Sequence, residues 1–232
     1  MVLRRACWIE NMDTRTALKG ELLAHISDFN AATEEAAAPS PLIGELIERL
    51  VPLSPIPDPT AHLPAVTGSW TSLFAKFGVG HSKGKSHKED STLALQTFKA
   101  FPDIPVHVIE MVQEIGSSPL FYNNVVLFET LGGTPGLVII HGTWMADEDE
   151  RRRFRVVFHG AEVRPRDGRS SSELRTALGL EPDAPLKRDF KPAKLYSDVV
   201  YLDEAIRINY GGMGGVYVLA RREGPLLSPS PA

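Results

Sequence analysis

The chain has 232 residues, a formal charge of −4, 43% apolar and 23% charged residues, the balance of one ordinary globular domain with an attachment. An isoelectric point near 6.0 excludes a global attraction to nucleic acid or anionic membrane. The single cysteine, Cys7, excludes a disulfide framework. The opening residues hold Arg4 and Arg5 but also Glu10 and Asp13, and they lack the apolar run of a signal peptide and the acid-poor character of a transit peptide. No later segment approaches the roughly 20 apolar residues of a membrane span. The expectation is a cytoplasmic protein.

Residues from about Asp13 to Val51 read as helical. Ala17, Leu18, Leu22, Ile26 and Phe29 recur at helical spacing, and Leu42, Ile43, Leu46, Ile47 and Leu50 give a second helix over 40–50 with Pro41 in its first turn. Their apolar faces are expected to cap the rest of the molecule. Pro52, Pro55, Pro57 and Pro59 forbid helix and central strand alike and predict a stiff linker. From Ser69 the period becomes two. Trp70, Ser72, Phe74 and Lys76 alternate with Thr71, Leu73, Ala75 and Phe77, and further strands read at 106–115, 120–129, 137–145 and 153–163. In the fourth, the phase leaves open whether Gly142 or Thr143 faces inward. Helical interruptions are expected at 90–101 and 171–178, a last hairpin at 199–210 and 216–221 around Gly211–Gly215, and a disordered proline-rich tail at 225–232. Short turns between many strands predict a mainly β fold, a closed antiparallel barrel with N-terminal helices and short helical insertions. The division expected is a helical segment at 1–54, a barrel at 55–224 and the tail.

Two stretches resemble the plastid lipid-associated protein (PAP)/fibrillin family. One is Leu63-Pro-Ala-Val-Thr-Gly68-Ser-Trp70-Thr-Ser-Leu73-Phe74, similar to the family's opening Gly-x-Trp-x-Leu-x-Tyr strand. The other is Val200-Tyr-Leu-Asp203-Glu-Ala-Ile-Arg207-Ile-Asn-Tyr-Gly211, followed by Val216-Tyr-Val-Leu219. At the final turn Tyr210-Gly-Gly-Met-Gly stands where the family usually has Arg-Gly-(Asp/Asn)-x-Gly. The resemblance, over about 55–221, implies a lipocalin-like barrel that binds lipids, carotenoids, quinones or similar isoprenoids. It also brings peripheral contact with a membrane or lipid body into view. With no H-E-x-x-H and no C-x-x-C in the chain, no metal is expected, and no cofactor is expected.

A small barrel either fills with side chains or holds one ligand. Phe74, Tyr201 and Tyr217 are candidate apolar walls; His107, Tyr122, Asn124, His141 and Arg207 are candidate polar handles, since such pockets need only a few. Gly68-x-Trp70 on the first strand with Arg221 or Arg222 ending the last resembles lipocalins, which implies an arginine lying across the indole in a cation–π contact that closes one barrel end. Asp203 and Arg207, read on one strand face, would stand about 13 Å apart. His81, Lys83, Lys85, His87 and Lys88 form a cationic loop that fails the phosphate-loop spacing, because Val79 stands where glycine is needed. A head group or membrane surface remains its alternative to plain solvation. The function expected is a carrier of a lipophilic small molecule; the alternative is an enzyme that folds or cyclises an apolar substrate in the same cavity.

Overall fold

The structure, a computed structural model, describes residues 2–31, 41–76 and 91–227, with side chains from residue 12 onward. The cationic loop, Phe77, the Cys7 side chain and residues 228–232 lie outside the described residues. Nine strands follow one another: β1 (Gly68–Lys76), β2 (Ser91–Thr92), β3 (Pro105–Ser117), β4 (Leu120–Thr130), β5 (Pro135–Ala146), β6 (Arg153–Pro165), β7 (Lys187–Leu202), β8 (Ile206–Gly211) and β9 (Val216–Arg221). All pairings are antiparallel in the order β1-β9-β8-β7-β6-β5-β4-β3-β2, and β1 also pairs with β3. Eight strands therefore close a barrel, and β2 adds a short edge on β3. Closure is made at one end, where Gly68 faces Ile115 and Thr71 faces Val112. Trp70 stands opposite Arg221 on β9, as the predicted closure requires. Gly68 itself has φ +117°, a conformation open to glycine and costly for other residues.

The helices are α1 (Val2–Ala31), α2 (Pro41–Leu50), and the short α3 (Leu63–Val66), α4 (Leu93–Gln96) and α5 (Ser171–Ala177). Helix α1 begins well before Asp13. Helix α4 is shorter than the expected 90–101: Thr92 Oγ1 accepts from Leu95 N at 3.4 Å and caps its start, while Phe98 and Lys99 take φ of 52° and 62° and end it. Strand β7 starts at Lys187, long before Val199. Its first half is charged and exposed, with too few inward apolar residues to show a period.

Two apolar cores result. One fills the lumen, from Trp70 through Tyr122, Phe128, Trp144 and Phe158 to Leu219. The other lies outside it: Leu18, Leu22, Ile26 and Phe29 of α1 and Ile43, Leu46, Ile47 and Leu50 of α2 cover Phe74, Val200, Tyr201, Ile206, Ile208 and Val218. The N-terminal helices thus pack along the barrel's side and do not cap an end. A smaller outer cluster joins Val112, Val125 and Leu127 to Leu226 and Leu227. The buried Glu114 carboxylate accepts from the amides of Leu226 at 2.5 Å and Leu227 at 3.0 Å, so these two residues are docked, contrary to the expected tail.

Of the register shifts in the sheet, two decide where the candidate aromatic residues Phe74 and Tyr201 point. On β1 the register shifts between Ser72 and Phe74; on β7 it shifts between Val199 and Tyr201. Each inserts one residue and reverses the faces beyond it. Trp70 and Val199 belong to the lumen core, whereas Phe74 and Tyr201 belong to the core under the helices.

Candidate functional site

On β8 the alternation is strict. Ile206 and Ile208 meet the helices, and Arg207 and Asn209 line the lumen. Arg207 is fully buried, at 0% exposure. Its Nη2 donates to Gln113 Oε1 at 2.5 Å and its Nη1 to the Val66 carbonyl at 3.4 Å. Its Nε has no partner among the described residues. The guanidinium lies 4.7 Å from the Trp70 ring centroid, and that of Arg221 lies 4.2 Å from the same ring. Among the described residues no carboxylate pairs with Arg207. Burial pulls its pKa down to about 10, with the charge of Arg221 acting the same way and Tyr122 opposing.

Further polar groups gather around it. Asn209 Nδ2 donates to Ser197 Oγ at 3.0 Å, while Asn209 Oδ1 and Asn124 Oδ1 are buried without a partner among the described residues. Burial raises the Tyr122 hydroxyl, with Arg207, Ser197 and Gln113 pulling in the other direction. A cavity of about 10 Å³ lies here, lined by Val66, Ile115, Tyr122, Trp144, Phe154, Ser197, Val199, Arg207 and Asn209, the space of about one water-sized sphere. Gly142 faces the lumen beside it and Thr143 is exposed. A Cβ on Gly142 would stand 2.7 Å from the Tyr122 carbonyl and 2.8 Å from Phe158, so only glycine lets β4 and the Phe158 ring approach this closely.

Both barrel ends are plugged. At the closure end, Trp70 Nε1 donates to the Val66 carbonyl at 2.9 Å. Arg221 donates to the carbonyls of Glu204, Thr67 and Ala65, pinning α3 and the β7–β8 turn over the indole. At the other end Phe98 packs 5.3 Å from Phe158 and stacks 5.6 Å from Phe190, with Phe101, Leu174 and Leu178 around them.

Of the residues singled out from the sequence, the lumen brings together Tyr122, Asn124, Arg207 and Tyr217. Tyr217, opposite Asn209, has its hydroxyl pushed up to about 12 by burial. The other four are elsewhere. Phe74 lies under α1, edge-on to Phe29 at 5.7 Å. Tyr201, beyond the β7 bulge, donates to Asp203 Oδ2 at 2.8 Å. His107 is exposed opposite Glu129. His141 alternates with the inward Ile140 and reaches Glu162 at 3.1 Å on the outer face; burial lowers its pKa, with Glu162 opposing. Asp203 is not on a strand with Arg207. It closes the β7–β8 turn, accepting from the amides of Ala205 at 2.8 Å and Ile206 at 2.7 Å and from Lys19 Nζ at 2.7 Å.

Sequence reading missed Gln113, Ser197 and Asn209. Asn209 was within reach, since it stands two residues from Arg207 and period two puts both on one face. Gln113 and Ser197 become visible only through the pairing of Gln113 with Trp70 and Asn124 and of Ser197 with Phe154. Chemically the cluster offers a permanent cation, a neutral phenol, hydroxyls and amides. The guanidinium and the phenol both keep their protons at neutral pH, which suits binding and not proton transfer. Comparison of the chain with family models, curated proteins and solved structures finds no match.

Proposed function

We propose that this barrel is a non-enzymatic binding module that carries a lipophilic small molecule in its lumen, and that it is related to the PAP/fibrillin proteins its β1 and β7–β9 sequences resemble. A β-barrel of this kind is compatible with a small hydrophobic ligand. The observation that carries the reading is the polar cluster inside an otherwise apolar lumen. Arg207 Nε, Asn209 Oδ1 and Asn124 Oδ1 are buried without partners among the described residues, and leaving such groups unpaired costs about 1–3 kcal/mol each. Stability alone would favour apolar residues at these positions. A few polar groups that orient a mostly apolar ligand account for them. The alternative, cyclisation of an apolar substrate by proton transfer, is disfavoured by groups that hold their protons.

Ligands of the lipid class need about 300–1,000 Å³, far above the 10 Å³ beside Arg207, so loading requires aromatic side chains to withdraw. Phe98 suits that role. It plugs the end away from the β1–β3 closure and does so with φ of 52°, a conformation that costs a non-glycine residue about 1–3 kcal/mol and is relieved when the plug leaves. The test is titration of solvent-extracted protein with the neutral, polarity-sensitive dye N-phenyl-1-naphthylamine. Binding at micromolar concentration and displacement by isoprenoid or fatty-acyl compounds supports the carrier; no dye binding and no displacement sinks it.

A further inference from the structure

We propose that the lumen selects lipophilic monoanions, amphiphiles that end in a carboxylate, whose head group pairs with the Arg207 guanidinium. The inference rests on the carrier reading and names the chemistry of its ligand. Arg207 is buried to 0% exposure, lines the cavity and meets no carboxylate among the described residues. Among the described residues its acceptors, Gln113 Oε1 and the Val66 carbonyl, are neutral, and its Nε meets no acceptor. Arg221 over the same indole adds positive potential and no compensation. A lone buried cation is costly, and an anion beside it in a medium of low dielectric recovers that cost.

The rest of the cluster fixes the kind of anion. A carboxylate presents acceptors only and is planar, matching the guanidinium fork, and the Tyr122 and Ser197 hydroxyls on the same cavity wall supply further donors. A phosphate dianion would bring more charge than the one guanidinium that lines the cavity. An alcohol or ester would leave the guanidinium uncompensated. The apolar body then runs along the lumen core toward Phe158 and Phe98.

Full-length protein loaded with N-phenyl-1-naphthylamine is titrated with hexadecanoic acid, its methyl ester, hexadecanol and hexadecyl phosphate at neutral pH. The acid should displace the dye at a concentration at least about tenfold below the ester and the alcohol, and it alone should raise the melting temperature strongly. In Arg207→Gln the tenfold preference for the acid over the ester should disappear. Equal displacement by acid and ester in the native protein overturns the carboxylate assignment and leaves the carrier standing. Hexadecyl phosphate outcompeting the acid overturns the monoanion. If the dye binds but no lipid displaces it, or no dye binds, the carrier reading itself falls and this inference with it. Should Arg207→Gln not fold, the acid–ester comparison on the native protein decides.

Discussion

Trp70 holds three things at once: the β1–β9 register, the α3 plug through Val66, and the two guanidinium groups over its ring. Its ring is at 0% exposure, and each cation–π contact contributes about 0.5–2 kcal/mol. Trp70→Ala should therefore lower stability by about 3–5 kcal/mol in urea unfolding; an unchanged midpoint would show that the indole closes nothing. Asp203 carries a second prediction. Burial pushes its carboxyl up, but Lys19, the Ile206 and Ala205 amides and the Tyr201 hydroxyl together outweigh burial and hold the pKa below the ordinary 3.8. A lowered carboxylate pKa stabilises the fold above the unfolded value, and that contribution is lost as pH falls through the folded one. Asp203→Asn should cost about 1–3 kcal/mol at pH 7, and the gap to the native protein should close below about pH 4. A gap that is flat with pH would contradict the ionised turn.

At the scale of single strands, the bulges decide which aromatic residues can meet a ligand. Phe74 and Tyr201 are strand aromatics of the type expected in a lipid pocket, yet one inserted residue on each strand turns them toward α1 and α2. Phe74→Ala should lose about 3–5 kcal/mol while the folded protein binds a lumen ligand as before. A parallel loss of affinity would place Phe74 in the lumen after all. This is also where sequence reading stops. The alternation of Phe154, Val156 and Phe158 announced β6, and the glycine-rich turn announced β8–β9, because period two survives wherever a strand is regular. A bulge leaves no signature in residue type, so the phase past Ser72 and past Val199 could not be read. The exposed first half of β7 has no apolar period to show, and His107 and His141, read as handles, face outward because their inward neighbours are the apolar Val106, Val108 and Ile140.

Across the whole molecule, the helical segment belongs to the barrel's own stability. Leu18, Leu22, Ile26 and Phe29 with the α2 face bury Phe74, Val200, Tyr201, Ile206, Ile208 and Val218, and Asn30 Nδ2 donates to the Leu73 carbonyl at 2.8 Å. A chain beginning at Pro55 would expose that strip on β1 and β7–β9, a contiguous apolar surface of the kind that drives association. It should aggregate or bind a hydrophobic dye on its outside, and a soluble, monodisperse barrel from that fragment would show that the helices are dispensable. Among the described residues no helix is long and apolar enough to cross a membrane. The stack of Arg207 and Arg221 over Trp70, with Trp144 lining the same cavity, also has an optical consequence. Two positive charges impose a fixed electric field on a dry indole chromophore. Were an anion to arrive beside Arg207 it would cancel part of that field, so tryptophan emission would shift with charge in the lumen and would report the proposed loading without a label.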